Sequence, residues 1–185
     1  MLAAMRFFVL FLSLMLPAAA FAAGPKDAAL DGLFRALKAA PSPEAAKPVE
    51  ERIVARFRIS GSPSTDLLVS RAEALYESGD RYQAKRLIGA ATNLNPGFAE
   101  GWHVRALMLA NDGDDQGAMV ALQKAIAANP RHFAAMVRLG DMLEEYGDKE
   151  AALKLFRRAL ALDPQYEGLG KRVEALSRSV EGEGI

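Results

Sequence analysis

This sequence predicts an all-α chain of three stacked helix–turn–helix units, and three observations carry that prediction. First, Pro96, Pro130 and Pro164 fall 34 residues apart. Second, Gly79-Asp80, Gly113-Asp114 and Gly147-Asp148 keep the same spacing, as do Ala91, Ala125 and Ala159. Third, residue size follows the period. Ala72, Ala106 and Gly140 are small, as are Ala84, Ala118 and Ala152, while Ile88, Leu122 and Phe156 are large and apolar. A period of this length marks units that cannot bury an apolar face alone and therefore stack. Small residues let two helices approach, and the large ones fill the layer between units. The glycines supply the backbone freedom of a tight turn. Asn95, Asn129 and Asp163 precede prolines, which push them out of helical geometry and end each second helix.

Taken in order, the chain begins with a segment that reads as a secretory signal peptide, residues 1–22. Arg6 is its only charge, Phe7 to Leu16 is apolar, and Pro17 breaks the run. Ala20-Phe21-Ala22 places small residues at −3 and −1, so cleavage is expected after Ala22. If the segment stayed attached it would serve as a membrane anchor. The span Phe7–Ala23 is slightly short for that and contains proline, whereas a spanning helix takes about 20 apolar residues.

Residues 23–63 are expected to form a helical pair and a linker. Leu30, Leu33, Phe34 and Leu37 make one apolar stripe over Asp27–Ala39. Pro41-Ser42-Pro43 interrupts it. A second helix runs from Glu44, with Val49, Ile53 and Phe57 recurring every fourth residue. Pro48 either starts that helix proper or kinks it. Ser60-Gly61-Ser62-Pro63-Ser64 ends it, and Ser62 or Ser64 caps the next helix. The pair is expected to cap the apolar face of the first unit, since terminal units of an array need a polar outer side. The units then span 64–97, 98–131 and 132–166. Residues 167–180 read as a capping helix, with Leu169, Val173, Leu176 and Val180 on one stripe and Glu167–Arg178 its core. Residues 181–185 read as a frayed polar tail.

Within the units, Trp102, Arg105, Ala106, Leu109, Ala118, Leu122, Ala125 and Pro130 occupy set places. Met136, Leu139, Gly140, Leu143, Ala152, Phe156, Ala159 and Pro164 repeat them. So do Leu68, Arg71, Ala72, Leu75, Ala84, Ile88, Ala91 and Pro96, with Arg71 where leucine is usual. This pattern resembles the tetratricopeptide repeat. The resemblance implies a right-handed α-solenoid whose first helices line a concave groove. It also implies which residues face that groove. From the first unit these are Val69, Ser70, Glu73, Tyr76 and Glu77; from the second, His103, Val104, Leu107 and Asn111; from the third, Val137, Arg138, Asp141, Glu144 and Glu145. Such a surface, apolar with an acidic rim, suits an extended peptide or a partner helix of basic or mixed sequence. The branch of the family that grips a terminal carboxylate uses lysine and asparagine where this chain has Val69 and Glu73, so that ligand is excluded. A narrower resemblance lies in Val49-Glu50, Ile53, Phe57, Ser60-Gly61-Ser62-Pro63 and Asp66-Leu67-Leu68. These are similar to the segment preceding the repeats in small exported tetratricopeptide proteins of alphaproteobacteria. That similarity implies a periplasmic location.

Composition and motifs leave little room for chemistry. Lys plus Arg and Asp plus Glu each total 23, so no charge excess points to nucleic acid. The absence of cysteine removes thiol catalysis, zinc–thiolate sites and disulfides. His103 and His132 lack metal-ligand spacing and read as exposed loop and groove residues. Asp112, Asp114 and Asp115 lie on a repeat turn, with no glutamate where a calcium loop needs one. Glu144-Glu145 diverge in direction on a helix. Arg52, Arg56 and Arg58 read as a solvated basic face. Met108, Met119, Met136 and Met142 read as core filler. The expectation is a non-enzymatic periplasmic adaptor for a protein or peptide, with no cofactor or metal. An anchored assembly subunit of an envelope complex is the alternative, and an enzyme or metal carrier the third reading.

Overall fold

The computed structural model describes residues 28–182. The expected signal segment, its cleavage after Ala22 and the end of the tail lie outside these residues. Among the described residues nine helices follow one another: α1 (Ala28–Lys38), α2 (Pro43–Phe57), α3 (Pro63–Glu77), α4 (Arg81–Leu94), α5 (Ala99–Asn111), α6 (Asp115–Ala128), α7 (Phe133–Glu145), α8 (Lys149–Leu162) and α9 (Leu169–Glu181). No described helix is long and apolar enough to cross a membrane.

The repeat period is written into the helix ends. Gly79, Gly113 and Gly147 take φ of 91°, 81° and 87°, the left-handed region that a Cβ disfavours. The aspartate after each then caps the second helix of its unit. Asp80, Asp114 and Asp148 accept from the backbone N–H of Gln83, Gly117 and Ala151 at 2.9–3.1 Å. The acidic turns are therefore N-caps, each worth about 1 kcal/mol. Ser42 and Ser62 do the same for α2 and α3, with Pro43 and Pro63 at the first helical turn. Helix α2 thus starts five residues before Pro48 and runs through it. Helix α9 begins at Leu169 rather than Glu167, because Gly168 at φ 73° closes a turn first. It extends to Glu181, where Arg157 makes two hydrogen bonds to the carboxylate.

Two buried clusters hold the stack. Val69, Ala72, Ala84, Ile88, Ala91, Phe98, Val104 and Met108 join the first unit to the second. A larger one runs from Trp102 and Leu122 through Met136, Leu139 and Phe156 to Leu169 and Leu176 of α9. Met108, Met136 and Met142 are buried, and Met119 packs against the core.

The N-terminal pair departs from expectation. Leu33, Phe34 and Leu37 of α1 and Ile53 and Phe57 of α2 join the larger cluster, with Phe133 and Val137 of α7. The α1–α2 hairpin therefore packs on the second and third units instead of shielding the first. The aromatic partners explain why. Phe133 lies 6.4 Å from Phe34, 6.3 Å from Phe57 and 6.1 Å from Tyr166, ring centre to ring centre. Polar contacts fix the same placement. Arg131 pairs with Asp31 at 2.6 Å, and Gln165 Nε2 donates to the Ala40 carbonyl at 3.2 Å.

Candidate functional site

The groove is lined by α3, α5 and α7, and the flanking helices α2 and α9 reach into it. Helix α2 ends over α5 and α7. Phe57 stacks on His132 at 4.9 Å, and the Arg58 guanidinium pairs with Glu73 and lies 3.9 Å from Glu100. At the other end Arg172 of α9 pairs with Asp141 and, at 2.7 Å, with Glu144. Three of the acids expected to attract a basic ligand are thus already neutralised by the protein's own arginines.

The structure sorts the expected groove residues by burial and partner. Val69 and Val104 are buried between the first and second units, and Val137 is covered within the cluster that includes the hairpin. Glu73, Asp141 and Glu144 carry ion pairs. Tyr76 donates to Asp112 Oδ1 at 3.0 Å, so it ties adjacent units together. His103 and Arg138 are half-buried. Ser70, Glu77, Leu107, Asn111 and Glu145 are exposed. Leu107 is 37% exposed in the middle unit, and Leu67 on α3 is 56% exposed. Beside Leu67 a cleft of about 550 Å³ is lined by Arg58, Pro63, Asp66, Leu67, Val69, Ser70, Phe98 and Glu100.

Under Phe57 sits a cluster that sequence reasoning missed. His132 is 1% exposed and Glu100 5%, so His132 is no exposed loop residue. The register contained the signal. His132 stands one period after Phe98, which is buried at the same N-cap place. His132 Nδ1 accepts the Ala135 N–H at 3.2 Å and caps α7. Its ring proton then sits on Nε2, 2.9 Å from Glu100 Oε2. Burial pushes the His132 pKa down, against the pull of Glu100, so the ring is neutral at pH 7. Burial alone would push the Glu100 carboxyl up. Hydrogen bonds from His103 and His132 outweigh it and hold the group well below the usual carboxylate range.

Glu100, His103 and His132 bring ligand atoms within 4.8 Å of one another, a donor set that zinc accepts. The proton positions argue against a metal. A ligating histidine gives one lone pair to the ion and donates a proton from its other nitrogen. Here the other nitrogen is itself an acceptor, so Nε2 could ligate only by losing the ring's last proton. The Arg58 cation beside Glu100 is a second objection. The cluster is built as a buried hydrogen-bonded pair joining two units.

A second pairing holds α2 from its other side. Burial, then the charge and hydrogen bond of Asp163, push the Glu50 carboxyl up to about 7. Lys47 opposes this shift and Glu51 adds to it. Asp163, 0% exposed at the end of α8, is also raised, by burial first. The two carboxyls share a proton. A folded pKa above the unfolded 4.5 means the contact stabilises fully below pH 4.5 and is lost as pH rises through about 7. Thermal unfolding at pH 6 and pH 8.5 should therefore show a fall in stability at the higher pH that Glu50→Gln flattens.

Comparison with known proteins agrees with the repeat register. Residues 120–167 match the tetratricopeptide repeat family. Over 153 residues the chain is 27% identical to a tetratricopeptide repeat-containing protein of Rhizobium etli, covering 83% of this chain and 75% of that one. The chain is similar to tetratricopeptide-repeat proteins and has their fold. Solved tetratricopeptide domains share its fold. The first such domain of Spaghetti, bound to an HSP90 peptide, superposes with a TM-score of 0.58 at 18% identity, over 65% of this chain and 95% of that one. The Yersinia enterocolitica type III secretion chaperone SycD, in complex with a peptide of the translocator YopD, gives 0.55 at 17% identity, over 65% and 94%.

Proposed function

We propose that this protein is a non-enzymatic adaptor that seats a peptide or partner helix in its concave groove. The carrying observation is the cleft beside Arg58, where Leu67 stays 56% exposed on the same helix as Ser70 and a cation and two acids line the wall. Exposed aliphatic side chains among fixed charges suit a ligand that is itself amphipathic. The Spaghetti domain and SycD both hold peptides, which supports the same use of the fold here. Residues 1–22 support a periplasmic site of action through their charge, apolar run and small residues before the expected cut.

The test is a crosslinking pull-down from periplasm with residues 23–185 as bait, beside a variant carrying Ser70→Arg, Glu77→Lys and Leu107→Glu. All three positions are exposed, so both baits should be equally helical by circular dichroism. A partner captured by the wild type should fall by about tenfold or more with the variant, the usual effect of losing central contacts. Equal capture by both baits would move the site to another face.

A further inference from the structure

We infer that α2 is a resident ligand of the groove, and that the partner replacing it is a helix of the same chemistry: two apolar anchors one turn apart, followed directly by a cation. This inference rests on the adaptor reading and names its ligand. Ile53 and Phe57 are four residues apart and bury to 0% and 8% exposure on the second and third units. Arg58 follows at once and meets Glu73 of α3 and Glu100 of α5. An apolar pair one turn apart is how an amphipathic helix is read in a groove, and the adjoining acids read the charge.

Beyond these anchors, α2 is held by Ala46 and by Glu50 against Asp163. Ala46, Ile53 and Phe57 are its buried residues, while Glu51, Arg52, Val54 and Ala55 on its outer face are exposed. Pro48 lies inside it and removes a helical hydrogen bond. The linker to α3 is short and contains Gly61 at φ 77°, and Ile59 there is 59% exposed. A helix tied to α3 by a short tether competes through high local concentration as well as through its own contacts. Displacing it would free Glu73, Glu100, Phe133 and His132 together, a composite of acid and aromatic surface matched to such a helix.

The experiment uses the full chain and a labelled synthetic peptide of residues 43–60, followed by fluorescence anisotropy. The wild-type chain should bind the peptide weakly, because its own α2 competes. Arg58→Glu in the chain should raise affinity by about tenfold or more, since tethered ligands act at about millimolar effective concentration. Arg58 is half-exposed, so this change leaves the repeats folded. A Phe57→Ala peptide should lose the binding, and a chain with Glu73→Lys should prefer an Arg58→Glu peptide. No gain in the Arg58→Glu chain, or equal binding of the Phe57→Ala peptide, would overturn the inference. So would binding that tracks concentration-dependent dimerisation, which would make the occupant a second copy's α2. The two readings fail separately. A partner whose capture depends on Ser70 and Leu107 but not on Arg58 would leave the adaptor standing without a resident ligand. Peptide binding as described, with nothing captured from periplasm, would do the reverse.

Discussion

Replacing His132 with alanine is expected to destabilise the fold by about 3–5 kcal/mol, because it removes the partner of a buried carboxylate. His132 does three things at once. It donates to Glu100, it caps α7 through Nδ1, and it offers its ring to Phe57. Losing the cap adds about 1 kcal/mol. Glu100, at 5% exposure, would keep only His103 at 3.4 Å and the distant Arg58. Urea unfolding at pH 7 reads the loss. The pH profile separates this account from simple cavity formation. In the folded state the His132 pKa lies below the unfolded 6.5, so its contribution is present above pH 6.5 and fades as pH falls. The alanine variant should lack that part of the acid limb, and the Glu100 part should shrink with it, because one of the two hydrogen bonds that hold the carboxylate low is gone.

Gly140→Ala should cost about 1–3 kcal/mol, the usual penalty for overpacking a core. A Cβ at Gly140 would lie 2.4 Å from Phe156 Cε1, and Phe156 is fully buried. The repeat supplies its own remedy. One unit earlier, Ala106 stands at the place of Gly140 and Leu122 at that of Phe156; two units earlier the pair is Ala72 and Ile88. The smaller partner goes with the larger one in each unit. Phe156→Leu alone should therefore leave a void, while Gly140→Ala with Phe156→Leu reproduces the middle unit. Thermal unfolding of the two single variants and the double should show a favourable coupling of about 1–3 kcal/mol. Additive losses would mean that the two side chains do not share one space.

The period made the stack legible, because the period is local chemistry. Glycine turns, aspartate caps and size alternation all act within a few residues of one another. The groove was less legible. Its composition depends on where α1 and α2 dock, and those contacts join Asp31 to Arg131 and Ala40 to Gln165 across 100 and 125 residues of chain. No periodicity encodes that. Arg58 read as part of a solvated basic face for the same reason, since its acids Glu73 and Glu100 lie 15 and 42 residues away. His132 was readable in principle, because its place in the register is that of the buried Phe98.

The central claim is that the α1–α2 hairpin lies on the second and third units and fills part of the groove. Distance measurement between spin labels tests it most directly. The chain has no cysteine, so Ala36→Cys on α1 and Lys154→Cys on α8 give a unique label pair at exposed positions. Helices α1 and α8 are in contact. The predicted result at pH 6 is a single, short and narrow distance distribution. It should broaden above pH 7 as the proton shared by Glu50 and Asp163 is lost, and again with Arg58→Glu when the residue 43–60 peptide is added. A broad distribution at pH 6, unchanged by pH or peptide, would contradict the account and leave the groove open along its whole length.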